Sequence, residues 1–203
     1  MALGAKSANR RALPRSRGAN IHLLPFWRSR SGVAAIEFAF LMPVFLILFV
    51  GIVDLGMMLV QDYRLDQAVA AGEEYAAVNG SSVNSTNGAS LASSIATAVE
   101  NANGTAWAND VVVVNNGPSV TVASGTATSG GTASNADSCY CPTGSPPNWT
   151  WGSAATCGSS CSGGSTAGKF VTITATASYT PLLGLYRFIN SGTLRQSAVV
   201  QTQ

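Results

Sequence analysis

The chain has 203 residues, 10% of them charged, and a net charge of +2. Residues 1–30 hold seven basic residues and no acidic ones, whereas the rest of the chain holds four basic and nine acidic residues. The positive charge therefore belongs to an N-terminal leader. Basic residues directly before an apolar run are typical of a cytoplasmic membrane flank, so a nucleic-acid-binding function is disfavoured.

An apolar segment follows the basic leader. Phe38–Val53 is 16 residues long and carries no charge, and its flanking turns extend it far enough to cross a hydrocarbon core of about 30 Å. We therefore predict a transmembrane helix over residues 33–60, preceded by a cytoplasmic leader over residues 1–32. Cleaved secretory signals have a shorter apolar core that is closely followed by a small-residue cleavage site. This segment therefore fits a cleaved secretory signal less well than a membrane anchor.

Three residues within this helix have expected roles. Glu37 and Asp54 are expected near opposite membrane interfaces, since a carboxylate is costly deep in lipid. Pro43 is expected to bend the helix, because it removes a backbone donor and clashes with the preceding turn. The helical period continues past the membrane, so residues 61–79 are predicted to extend the same helix outside it, as far as an Asn-Gly stop.

Residues 80–203 are predicted to form a periplasmic α+β domain. A short helix is expected to begin at an N-cap, Ser90, and its apolar face comprises Leu91, Ile95, Ala98 and Val99. An alternation with period two then predicts strands over residues 111–114, 119–123, 169–179 and 194–201. A small antiparallel sheet packed on the outer half of the long helix would bury their apolar faces.

The strand predicted over residues 169–179 has the clearest alternation. Its apolar face comprises Val171, Ile173, Ala175, Ala177 and Tyr179. Before it lies a long segment rich in Ser, Thr and Gly, residues 124–168, which contains all four cysteines. A loop of this length is unusual in a compact domain, so we expect cross-links to hold it in place.

The four cysteines are arranged as C-x-C and C-x3-C, at Cys139, Cys141, Cys157 and Cys161. This spacing differs from the C-x2-C pairs typical of zinc sites, and a location outside the inner membrane favours oxidation. Cysteines one residue apart rarely bond to each other. We therefore predict two disulfides, either 139–161 with 141–157 or 139–157 with 141–161. The nearby Trp149 and Trp151 are expected either to cover the disulfides or to form an exposed contact surface.

The sequence contains no pattern typical of catalysis. Its only histidine, His22, lies in the leader, so the predicted domain has neither a Ser-His-Asp triad nor a Cys-His pair. Phosphate-binding loops and dinucleotide fingerprints are absent from the sequence as well. We therefore predict a protein that is not an enzyme and that has no catalytic residues, no cofactor and no metal.

The N-terminal motifs carry a resemblance to a known family. Gly32 opens the sequence GVAAIEFA, Pro43 interrupts the apolar run that follows, and Gly51 opens the sequence GIVDLG. Together these resemble the TadE-like family of tight-adherence (Tad/Flp) pilus assembly proteins, which implies a type IV pilin-like architecture. One departure is the sequence Gly72-Glu-Glu, at a position where the family often has an arginine.

The resemblance implies a processing site. A prepilin peptidase would cleave after Gly32, leaving Val33 as the new N-terminus and Glu37 as the fifth mature residue. In a helix bundle of low dielectric constant, the carboxylate of Glu37 can pair with the α-ammonium group of a neighbouring subunit. That pairing would give a carboxylate in an apolar segment a function.

The resemblance also implies a function and partners. The chain would be a non-enzymatic minor pilin or pseudopilin that acts in assembly of a Tad/Flp-type pilus for surface adherence. Its partners would be other pilin or pseudopilin subunits, the pilus assembly platform, the prepilin peptidase and membrane lipid. It would cross the bacterial inner membrane once, with its N-terminus cytoplasmic and its C-terminal domain periplasmic, and would enter a surface pilus. The alternative is an uncleaved, single-pass, membrane-anchored scaffold or adhesin of the cell envelope.

Overall fold

The computed structural model describes residues 31–103, 108–146, 148–182 and 192–203. Within them lie two α-helices, α1 (Ser31–Val78) and α2 (Gly88–Asn103). Two short 3-10 helices lie at Gly80–Ser82, directly after α1, and at Ala133–Asp137. The leader predicted over residues 1–32 lies almost entirely outside the described residues.

Helix α1 belongs to two compact units, one ending at Val44 and the other running from Phe45 to Gln203. It runs through Pro43 as one helical element. Its most apolar 18-residue window has a mean hydropathy of 2.6, and only 6% of that window is buried. By length and composition, this helix can cross a membrane.

The second unit contains a five-stranded antiparallel sheet. In chain order the strands are β1 (Ala108–Val114), β2 (Ser119–Ala123), β3 (Thr126–Gly130), β4 (Cys139–Tyr140), β5 (Ala154–Ala155), β6 (Phe170–Ser178) and β7 (Thr193–Gln201). The order across the main sheet is β3-β2-β1-β6-β7, and β4 and β5 form a separate two-stranded ribbon. Every neighbouring pair is antiparallel.

The alternating side chains of the strands explain how the sheet is buried. Successive residues of a strand point to opposite faces, and in β6 the predicted apolar face is the buried one. At the centre of the sheet, Ile173 pairs with Val112 of β1 on one side and with Ala198 of β7 on the other. One face of the sheet therefore carries a continuous apolar layer.

The helices contribute to the same hydrophobic core. Buried residues of α1 and α2 belong to one cluster with the sheet, among them Leu65, Ala68, Val69, Leu91, Ile95 and Val99. Gly72 allows a close approach, because a Cβ atom there would lie 2.8 Å from Val99 Cγ2 and 3.1 Å from Ile173 Cδ1. The α+β architecture predicted from the sequence, a long apolar helix with a small antiparallel sheet packed against it, is confirmed.

The start of α2 differs from the prediction. The helix begins at Gly88 rather than at a Ser90 cap, because the side-chain oxygen of Asn84 accepts hydrogen bonds from the backbone N–H groups of Thr86 and Asn87. These bonds start the first turn earlier. Its buried face also differs, since Ala98 is half-buried while two other alanines are buried, Ala92 and Ala96.

Strand β3 corrects the loop predicted over residues 124–168. It pairs with β2 along its full length, with Ser119 opposite Gly130 and Ala123 opposite Thr126. All five of its side chains are exposed. The strand therefore shows no alternation of apolar and polar residues, although its backbone extends the sheet.

Candidate functional site

The residues of the expected processing site lie in the first turns of α1. Gly32 and Val33 are helical, and Glu37 follows Val33 by four residues, which places the two on one helix face. The side chains of Val33 and Glu37 are exposed. A Cβ atom at Gly32 would meet no heavy atom within 4 Å outside its own helix backbone and chain neighbours. This segment presents an open helical surface with one carboxylate.

Asp54 lies in a polar contact that the sequence did not indicate. Its side chain is 3% exposed. The hydroxyl of Tyr179 donates to Asp54 Oδ1 and also lies 2.7 Å from the Asp54 backbone oxygen. The backbone N–H of Leu182 donates to the same Oδ1 at 3.2 Å. Two donors from the end of β6 and the residues after it therefore compensate the burial of this carboxylate.

The contact between Asp54 and Tyr179 connects parts of the chain that are 125 residues apart. Burial, together with the hydrogen bond and the negative charge of Asp54, raises the pKa of Tyr179 to about 12. The hydroxyl therefore keeps its proton for donation to Asp54 even at a pH at which a solvated tyrosine ionises. The contact fixes the end of β6 to α1 close to the apolar segment.

The structure joins the four cysteines as Cys139–Cys157 and Cys141–Cys161. This is the second of the two connectivities expected from the sequence. With all four sulfurs bonded, none is a thiolate for zinc. Within the described ranges, no three His, Cys, Asp or Glu residues group as metal ligands.

The tryptophans near the disulfides form a chain of edge-to-face aromatic contacts. Trp151 lies 5.9 Å from Tyr140 and 5.8 Å from Trp149, and Trp149 lies 5.8 Å from Phe170, measured between ring centroids. Both tryptophans are half-buried. Because Tyr140 belongs to β4 and Phe170 to β6, these contacts pack the disulfide-bonded region against the main sheet.

Asp110 is a second buried carboxylate, located on β1. It is 2% exposed, and its Oδ2 atom has no hydrogen-bond partner in the described part of the chain. Burial, and secondarily the charge of Glu100 on α2, raises the pKa of Asp110 from 3.8 to about 7. The folded domain therefore holds a proton at pH values where the unfolded chain has released it.

Asp110 predicts a pH-dependent stability. Between pH 3.8 and about 7 the folded state binds the additional proton, so the free energy of unfolding falls as the pH rises through this window and is flat above it. We expect Asp110→Asn to remove this slope and to raise the free energy of unfolding above pH 7 by about 2 kcal/mol. Urea denaturation of the full chain in detergent across this range measures both effects.

Asp137 provides the matched control for this experiment. Hydrogen bonds from Ser85 lower the pKa of this exposed carboxylate, so its contribution has the opposite sign and is lost as the pH falls. Asp137→Asn should therefore give no gain in stability above pH 7. An Asp110→Asn variant with the same pH profile as the unmodified chain would contradict the assignment.

Comparisons with known proteins agree with the geometry of α1. No curated protein and no solved structure matches the chain. A family model described as TadE-like protein matches residues 32–73. The matched residues all lie within α1 and include Glu37, Pro43 and Asp54. The resemblance predicted from the N-terminal motifs is confirmed over residues 32–73, where the chain is similar to TadE-like proteins.

Proposed function

We propose that this chain is a non-enzymatic minor pilin or pseudopilin that acts in assembly of a Tad/Flp-type pilus for surface adherence. The observation that carries the proposal is the TadE-like match over residues 32–73 on an exposed apolar helix. In this proposal α1 crosses the bacterial inner membrane once. The basic residues 1–30 lie in the cytoplasm, and the disulfide-bonded α+β domain lies in the periplasm, where disulfides form.

The surface of α1 supports an assembly role. Beyond Asp54 the helix continues to expose large apolar side chains that the sheet does not cover, including Leu59, Val60 and Tyr63. A groove of about 690 Å³ lies beside these three and reaches Gln196 of β7. Its lining also includes three charged residues, Asp62, Arg64 and Asp66. Exposed apolar helix surface of this kind is typical of sites that pack against other helices. The proposed partners are other pilin or pseudopilin subunits and the pilus assembly platform.

Processing by a prepilin peptidase belongs to the same proposal. Cleavage after Gly32 would leave Val33 as the N-terminus. Its α-ammonium group and the carboxylate of Glu37 on an adjacent subunit would then pair in a medium of low dielectric constant. The exposed position of Glu37 supports this role, because the side chain is available to a neighbouring subunit.

Coexpression of the full chain with an active prepilin peptidase tests processing. N-terminal sequencing and intact mass are expected to identify Val33 as the first residue, and a Gly32→Leu variant should keep its leader. An intact junction after Gly32 in the presence of active peptidase would contradict processing. That result would favour the alternative function, an uncleaved single-pass membrane-anchored scaffold or adhesin.

Glu37→Ala tests the role of the carboxylate in assembly. Because Glu37 is exposed, we expect the variant to retain its stability while it incorporates poorly into pili, as measured by the amount of the chain in sheared surface fractions. Glu74→Ala is the matched control, since Glu74 is also exposed on α1 but outside the apolar segment. Equal incorporation of the two variants would exclude a specific role for Glu37.

A further inference from the structure

The sheet domain contacts α1 close to the apolar segment. Residues 32–49 have exposed side chains throughout, whereas Gly51 and Asp54 are buried. The exposed run contains 18 residues, about 27 Å of helix at 1.5 Å per residue. A bilayer has a hydrocarbon core of about 30 Å. The helix length that the domain leaves uncovered is therefore close to the minimum needed to cross a membrane.

This match in length restricts the depth of the domain, an inference that rests on the proposed membrane crossing of α1. If residues 32–49 occupy the hydrocarbon core, Asp54 lies at its outer boundary. The hydrogen bonds from Tyr179 and Leu182 to Asp54 hold the end of β6 at the same depth. Little space is then left between the sheet domain and the lipid.

The chemistry of this end of the domain suits a lipid surface. Thr180, Pro181 and Leu182 carry no charge, and Leu182 is 63% exposed. Leu55, which follows Asp54 on α1, is 48% exposed. Exposed leucines next to polar backbone and hydroxyl groups are suited to the interface, where apolar side chains reach the acyl chains and polar groups remain hydrated.

We propose that Thr180–Leu182 and Leu55 form a membrane-docking edge that rests on the outer leaflet of the membrane. The edge binds lipid through its apolar side chains, and the Asp54–Tyr179 contact holds it in position. The carboxylate of Asp54 is thereby shielded from lipid by donors from the domain itself. Docking would restrict the tilt of the domain relative to the bilayer before any subunit contact forms.

Depth-dependent fluorescence quenching of the full chain in phosphatidylcholine vesicles tests this proposal. The variants Leu182→Cys, Leu46→Cys and Val78→Cys are each labelled with an environment-sensitive fluorophore. The four native cysteines are bonded in disulfides and do not react with the label. Leu46 lies in the apolar segment, and Val78 is the last residue of α1 and is 78% exposed. We expect headgroup nitroxide lipids to quench the label at Leu182, acyl-chain nitroxides to quench the label at Leu46, and neither to quench the label at Val78.

The outcomes separate this proposal from the proposed function. An unquenched label at Leu182 together with a quenched label at Leu46 would overturn the docking edge while leaving the membrane anchor in place. An unquenched label at Leu46 would refute the anchor and the docking together. A label at position 182 whose emission is unaffected by the lipid quenchers but changes with the protein-to-lipid ratio would show that the edge contacts another subunit. That result would exclude lipid as the occupant. A label at the exposed Thr180 should repeat the result for Leu182.

Discussion

Replacement of Asn115 by alanine is expected to lower the free energy of unfolding of the sheet domain by about 4 kcal/mol. Asn115 is fully buried. Its amide donates to the backbone oxygens of Ala136 at 3.1 Å and Ser138 at 2.6 Å, and its side-chain oxygen accepts from the Phe170 N–H at 3.2 Å. Each buried polar group left without a partner costs about 1–3 kcal/mol.

The backbone of Asn115 adds to this expected loss. Its φ is +51°, in the left-handed region that asparagine tolerates better than alanine, at a difference of about 1 kcal/mol. Its N–H also donates to the Phe170 oxygen at 2.8 Å. One residue thus joins the turn between β1 and β2, the residues before the disulfide-bonded region and the start of β6.

Asn116 offers a matched control for the side-chain network. It has a φ of +53° and is half-buried, and its backbone oxygen accepts from the side chain of Asn135. Asn116→Ala should therefore lose only the backbone contribution, about 1 kcal/mol. Asn115→Gly removes the backbone strain but also removes the side-chain hydrogen bonds. It should therefore still show most of the loss expected for Asn115→Ala. Urea denaturation followed by tryptophan emission measures all three variants, and equal losses for the two alanine variants would contradict the role of the network.

The sequence predicted those parts of the fold in which burial follows a regular period. The alternation in β6 identified its buried face, and the helical period carried α1 past the apolar segment to its end at Val78. Apolar residues at regular spacing report directly which face is buried. Strand β3 gives no such signal, because its Thr, Ala, Ser and Gly side chains are all exposed, and its strand conformation depends on backbone pairing with β2.

The candidate site was predicted only where it depends on local motifs. The sequence GVAAIEFA indicated Gly32, Val33 and Glu37, and their processing role stays a prediction. The disulfide pairing was reduced to two alternatives, since spacing alone does not place Cys139 beside Cys157. The contact between Asp54 and Tyr179 was missed, because it joins positions 125 residues apart and no periodic pattern relates them. One usable signal was a carboxylate in an apolar helix, which requires a polar partner.

Replacement of Tyr179 by phenylalanine is expected to lower the free energy of unfolding by about 3 kcal/mol. The variant keeps the aromatic ring in the core and removes only the hydroxyl, so Asp54 retains the N–H of Leu182 as its donor in this contact. Hydrogen bonds to charged groups contribute more than neutral ones, and a buried carboxylate that loses one of its two donors here is only partly compensated for its desolvation. Denaturation of the full chain in detergent measures the loss.

Two further variants separate loss of the hydrogen bond from loss of packing. Tyr140→Phe is the matched control, because its hydroxyl makes a long 3.3 Å contact to Asn135, and it should cost less than about 1 kcal/mol. Asp54→Leu combined with Tyr179→Phe replaces both polar partners by apolar groups and should recover more than about 1 kcal/mol relative to Tyr179→Phe alone. If the losses of Asp54→Leu alone and Tyr179→Phe alone added up in the double variant, the hydroxyl would stabilise the domain independently of Asp54. Recovery would show that the hydroxyl is required because a carboxylate is buried on α1.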